Sequence, residues 1–82
     1  MTLNDTVEMM LSEDYKERFL AEYLQLTIRM SSLNNMLREY KAGTLNFVPK
    51  CSYDILIAQL RAMELYACFL EDRAKIEDID LW

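Results

Sequence analysis

Tyr15, Arg29, Ser32 and Arg73 carry the side chains best suited to hold a ligand. An aromatic ring such as Tyr15 can stack on a flat base, or it can sit half-buried at a helix end. Arg29 stands beside Met30, and a guanidinium next to an apolar surface can hold a phosphate. It can equally reach to solvent or pair with a carboxylate of a neighbouring subunit. Ser31 and Ser32 interrupt a run of helix formers, either to let another backbone approach or to donate to a ligand. Arg61 and Arg73 are the arginines of the last apolar stretch. Arg73, four residues after Phe69, also suits the negative end of a helix dipole. Arg18 and Glu22, four apart, suit a surface ion pair.

What is missing narrows the chemistry further. The chain has no histidine, which removes the commonest general base and metal ligand. It contains no glycine-rich phosphate loop, no cysteine cluster and no serine-nucleophile motif. Cys51 and Cys68 are isolated thiols without metal spacing, as expected of a protein kept in a reducing cytoplasm. The expectation is a protein that is no enzyme and needs no cofactor or metal.

The elements that position these residues are helices. Phe19, Tyr23, Leu26, Met30, Leu33, Leu37 and Tyr40 recur at spacings of 4, 3, 4, 3, 4 and 3, a heptad seam with a period of about 3.5. Leu56, Leu60, Met63, Ala67 and Leu70 repeat the pattern downstream. The two seams predict an all-α fold in which two long helices pack antiparallel at a shallow angle. The sequence divides as one domain over 1–82: a short helix over 1–11, a long helix over 13–42, a connection over 43–52, a second long helix over 53–75 and a tail over 76–82. Asn4 or Asp5 is expected to cap the first helix and Ser12 the second, with Glu13 and Asp14 in its first turn. Gly43 ends that helix, and Pro49 and Ser52 announce the last one. Leu45, Phe47 and Val48 are apolar enough to plug the end of the hairpin. Ile76, Ile79, Leu81 and Trp82 are candidate docking residues in the tail.

Both long helices carry apolar residues beyond their seams. Leu20, Leu24 and Ile28 form a second stripe on the first, and Ile55, Ala62, Tyr66 and Phe69 on the other. A lone pair of helices cannot bury both, so the chain is expected to form a symmetric homo-oligomer through these second stripes. With 82 residues, 52% hydrophobic and 28% charged, it should be foldable and soluble. Its formal net charge of −5 argues against polymeric DNA or RNA and against anionic membranes as partners. The N-terminal residues lack the basic start and cleavage site of a signal peptide, and no apolar run reaches the roughly 20 residues that span a bilayer.

Two segments together resemble a known family. One is Tyr15-Lys16-Glu17-Arg18-Phe19-Leu20-Ala21-Glu22, continuing to Leu26, Arg29 and Leu33. The other is Gln59-Leu60-Arg61-Ala62-Met63-Glu64-Leu65-Tyr66, continuing to Leu70 and Arg73. The pattern, over about residues 15–73, is similar to the helical hairpin shared by phage anti-CBASS and anti-Thoeris sponge proteins. The short length and single small helix ahead of the hairpin resemble the anti-CBASS branch. The resemblance implies a phage protein that works in the cytoplasm of the infected bacterium. It would sequester cyclic di- and trinucleotide messengers of host immunity, of cyclic GMP–AMP and cyclic tri-AMP type, so that their effectors stay inactive. It implies a homohexamer with separate pockets for the two ligand classes. In the dinucleotide pocket, between protomers, Tyr15 matches the tyrosine that stacks on a base. The family's phosphate-binding basic residue falls at Met30, leaving Arg29 or Lys16 for that role. In the trinucleotide pocket, Ser32 and Arg73 are the nearest matches to a hydroxyl residue and an arginine. The rival reading from the residues alone is a structural or adaptor hairpin that binds another protein through its second apolar stripe.

Overall fold

Asp14, rather than Ser12, starts the long helix. Its side chain accepts a hydrogen bond from the Lys16 backbone N–H at 2.9 Å, satisfying a donor that no helical carbonyl can reach. Ser12 supports it from outside, its Oγ accepting from the Asp14 N–H at 3.0 Å. The structure, a computed structural model, describes residues 1–81. In it α2 spans Tyr15–Ala42, 28 residues. Gly43 then turns left-handed with φ 76°, and the Gly43 and Thr44 N–H groups return to the carbonyls of Tyr40 and Glu39 at 3.2 and 3.0 Å. A Cβ at Gly43 would meet nothing within 4 Å, so backbone conformation alone calls for glycine there.

The last helix, α3, spans Tyr53–Glu77. Ser52 caps it, its Oγ accepting from the Ile55 N–H at 3.2 Å. The helix runs two residues beyond the expected end at Lys75, to Glu77, and Asp78 after it takes the left-handed conformation with φ 59°. Aspartate tolerates that region better than most residues. The Ile79 N–H then donates to the Ala74 carbonyl at 2.8 Å, and this turn carries Ile79 into the core.

The two seams meet as expected. Phe19, Leu26 and Leu37 on α2 and Leu60, Ala67, Leu70 and Ala74 on α3 are buried, with Tyr23, Met30 and Met63 half-buried. Cross-helix contacts fix the antiparallel sense. At one end the Tyr15 hydroxyl donates to Glu77 at 2.6 Å. At the other the rings of Tyr40 and Tyr53 lie 5.6 Å apart. Helices that touch over such a length cross at a shallow angle. Tyr23 donates to Glu71 at 2.6 Å, and Tyr66 on α3 donates to Glu22. Glu22 therefore pairs across the hairpin instead of with Arg18, whose Nη1 donates to the Ser12 carbonyl at 2.7 Å.

The N-terminal segment corrects a second expectation. It forms a 3₁₀ turn, Leu3–Thr6, running directly into α1, Val7–Met10. Thr2 begins it. The Asp5 carboxylate reaches back to accept the Thr2 N–H at 2.7 Å, so Asp5 braces the cap instead of being it. Thr6 is fully buried. Its Oγ1 donates to the Leu3 carbonyl at 2.6 Å and accepts from Gln25 Nε2 at 3.0 Å. Gln25 Nε2 also donates to the Met10 sulfur. The segment packs on α2, where Ala21 and Leu24 are buried and Leu20 and Ile28 half-buried. The second stripe of α2 is thus largely covered by its own chain.

The outer face of α3 is not covered. Ile55, Leu65 and Phe69 are 60–62% exposed, and Tyr66 and Ile76 are exposed too. The connection does not plug the hairpin: Leu45 is half-buried, but Phe47 and Val48 are exposed. Of the expected tail residues, Ile79 is buried and Leu81 half-buried against the core, whereas Ile76 falls within α3 and is exposed. Trp82 lies outside the described residues. The chain is all-α among the described residues, 43 Å along its longest axis.

Candidate ligand-binding site

Tyr15 is the first residue of α2 and Arg73 lies in the last turns of α3. The antiparallel hairpin therefore brings them to the same end. Arg73 Nη2 donates to the Tyr15 hydroxyl at 3.0 Å. Its Nε donates to Glu77 Oε2 at 3.3 Å, and Glu77 Oε1 accepts from the Tyr15 hydroxyl. The guanidinium lies over the buried Phe19 ring, 4.9 Å from its centroid, a cation–π contact. Tyr15 meets the same ring edge-on at 6.2 Å. Lys16 Nζ donates to the Asp78 carbonyl at 3.0 Å. One exposed aromatic ring and two cations thus gather around the end of α3.

The electrostatics follow from these contacts. Donation by the Tyr15 phenol, with help from Arg73, holds the Glu77 carboxyl below its usual range. Acceptance by Glu77 pushes Tyr15 up, and the same carboxylate raises Arg73. In mid-hairpin, Tyr23 is pushed up to about 12 because its hydroxyl donates to Glu71, with burial adding to the effect. A raised phenol stabilises the fold below its ordinary value of 10.0, and that contribution is lost as pH rises through about 12. Phenolate absorbance should therefore show a late step at that pH, absent from Tyr23→Phe. A Tyr23 step complete before pH 11 would contradict the Glu71 bond.

The other expected site residues lie elsewhere. Arg29 is exposed and forms no salt bridge among the described residues. It stands 14 positions after Tyr15, roughly 20 Å along the helix. Met30 is half-buried and lines an open hollow of about 290 Å³ with Thr27, Ser31, Asn34, Leu60 and Glu64. Ser32 is exposed. It is 13 positions beyond Phe19, the residue level with Arg73, so it too is roughly 20 Å away. One chain brings Tyr15, Lys16 and Arg73 together. It does not bring Tyr15 to Arg29 or Met30, nor Ser32 to Arg73. Arg61 pairs with Glu64 at 2.6 Å in an exposed bridge.

Sequence reasoning missed Glu77, Asp78 and the Phe19 platform. Glu77 four residues after Arg73 was a readable helix pair. Its bond to Tyr15 depends on the register between helices, which no local spacing records.

The chain is thus an all-α hairpin with an aromatic and cationic cluster at one end. The model of the Sequestin family matches residues 13–76, most of the chain, and the chain belongs to that family. The family name fits the sponge-type sequestering proteins that the two sequence segments resemble, and it supports a role in binding and holding a ligand or partner. No curated protein and no solved structure matches the chain.

Proposed function

We propose that this protein is a phage anti-defence sponge. It binds cyclic di- and trinucleotide messengers of CBASS immunity in the cytoplasm of the infected bacterium and withholds them from their effectors, without altering them. The observation that carries the reading is the juxtaposition of the exposed Tyr15 ring with Arg73 and Lys16. A cyclic nucleotide offers flat bases and a few phosphates, and stacking with charge-assisted hydrogen bonds is the matching chemistry. The acidic surface elsewhere disfavours long nucleic acids.

Each proposed pocket draws on two copies. Tyr15 and Lys16, at the hairpin end of one copy, meet Arg29 and Met30 of another around a dinucleotide. Arg73 of one meets Ser32 of another around a trinucleotide. The roughly 20 Å between these residues within a chain supports that division. The exposed face of α3, with Ile55, Leu65, Tyr66 and Phe69, supplies surface for assembly into a homohexamer. That same face favours a second reading, a structural or adaptor hairpin docking another protein.

Calorimetry with cyclic GMP–AMP and cyclic tri-AMP, alongside sedimentation velocity, tests the proposal. The expected result is saturable heat with at least one ligand from an oligomer larger than a dimer. A monomer that gives no heat with either ligand, at protein concentrations well above micromolar, would leave the adaptor reading standing.

A further inference from the structure

The three clustered side chains to which the proposed function assigns ligand contacts are already engaged, and all by two consecutive residues. Tyr15 and Arg73 bond the Glu77 carboxylate, and Lys16 bonds the Asp78 carbonyl. We infer that the end of α3 is an internal stand-in for the ligand: Glu77 holds the anion position that a phosphate must take, and binding displaces it. This inference rests on the reading of Tyr15 and Arg73 as ligand contacts and adds a residue that sets the threshold for entry.

Three features support displacement over a permanent structural bond. The group is accessible: the Arg73 and Glu77 side chains retain 49% and 33% of their exposure. Arg73 keeps a second hold, the Phe19 face, so its guanidinium stays in place when Glu77 leaves. Phe19 itself is buried and fixed. Glu77 is the final residue of α3, and the left-handed Asp78 follows it. The Ile79 N–H bond to the Ala74 carbonyl secures the turn independently of the Glu77 side chain. A carboxylate and a phosphodiester each bring one negative charge, so an isolated monoanion gains little by exchange. A dinucleotide that takes the Glu77 position beside Tyr15 also stacks a base on that ring and gains the stacking on top. Glu77 thereby selects for nucleotides against simple anions.

The test is Glu77→Gln, which keeps the size and removes the charge. In calorimetry with cyclic GMP–AMP and cyclic tri-AMP, the variant should bind at least one of them about two- to fivefold tighter than wild type, the range of an exposed ion pair. Equal or weaker binding overturns the inference. A second readout does not need the nucleotide. Inorganic pyrophosphate is titrated against the Arg73 Nε–H resonance in both proteins. The resonance should shift at lower pyrophosphate in Glu77→Gln. Identical titrations overturn the inference. Absence of nucleotide heat in both proteins, with the pyrophosphate difference intact, overturns the sponge reading while Glu77 keeps its role as internal anion. Helical content of the variant is checked by circular dichroism.

Discussion

Leu70→Ala is expected to cost about 2–5 kcal/mol of folding stability, the usual range for a leucine truncated in a well-packed interior. Leu70 is 1% exposed. It lies in a cluster with Phe19, Leu26, Ala67, Ala74 and Ile79, where the hairpin seam and the returning tail converge. Three of those neighbours cannot reach into the void: Ala67 and Ala74 have no side chain to extend, and Phe19 is held beneath Arg73. The upper part of the range is therefore expected. Small domains have only a few kcal/mol to lose, so the variant should be largely unfolded at moderate temperature. Urea unfolding followed by circular dichroism measures this. Leu65→Ala is the control, because Leu65 is 60% exposed and its truncation should move an isolated chain by less than about 0.5 kcal/mol. If α3 meets other copies through that face, the Leu65 effect should grow with protein concentration. A loss below about 1 kcal/mol for Leu70→Ala would mean that the tail does not close over the seam as described.

Leu70 was legible in the sequence as a seam residue, and so was most of the hairpin. A 3.5-residue apolar period is a local property, and so are the Gly43 stop and the Ser52 cap. Each depends on groups only a few residues apart. The differences between expectation and structure have other causes. Leu20, Leu24 and Ile28 form the second apolar stripe that their spacing predicts, but periodicity does not say what covers a stripe. The cover is the chain's own first turn and α1, pinned by the buried Thr6 to Gln25. Nineteen residues separate that pair, and neither residue is apolar. Ser12 and Asp14 are both good caps, and sequence alone cannot rank two candidates two residues apart when one supports the other. The hydrophobicity of Phe47 and Val48 predicts a plug, yet a loop can leave apolar residues exposed, as most protein surfaces do.

The residue types of the cluster at the hairpin end are legible in the sequence, but their grouping is not. The resemblance distributes Tyr15 and Arg73 between two pockets. The antiparallel register joins them by a direct hydrogen bond, which follows from the relative alignment of α2 and α3 and from no spacing within either. Arg29 and Ser32 lie on the long helix, but distance along a rod separates them from their expected companions.

That bond changes what Arg73→Ala is expected to do. Treated as one trinucleotide contact, its loss should weaken cyclic tri-AMP binding by about ten- to a hundredfold, the scale of a charge-assisted hydrogen bond. The structure adds two consequences. Tyr15 loses the Nη2 donor that orients its hydroxyl, and Glu77 loses its cation while remaining beside the pocket. An unpaired carboxylate there repels phosphates of either ligand. Cyclic GMP–AMP binding should therefore also fall, by about two- to fivefold, although Arg73 belongs to the other proposed pocket. Adding Glu77→Gln to Arg73→Ala removes the repulsion and should restore the dinucleotide loss without restoring trinucleotide binding. Arg73→Lys keeps the charge but gives up the planar fork that spans Tyr15 and Glu77, and should fall between wild type and alanine for both ligands. Calorimetry of the four proteins with the two ligands separates the direct contact from the repulsion. Unchanged binding of both ligands in Arg73→Ala would reduce Arg73 to a cation at a helix end, there for the dipole and the Phe19 face. Dissociation of the oligomer in Arg73→Ala would instead make it an assembly residue, and the pocket assignment would pass to Tyr15 and Lys16 alone.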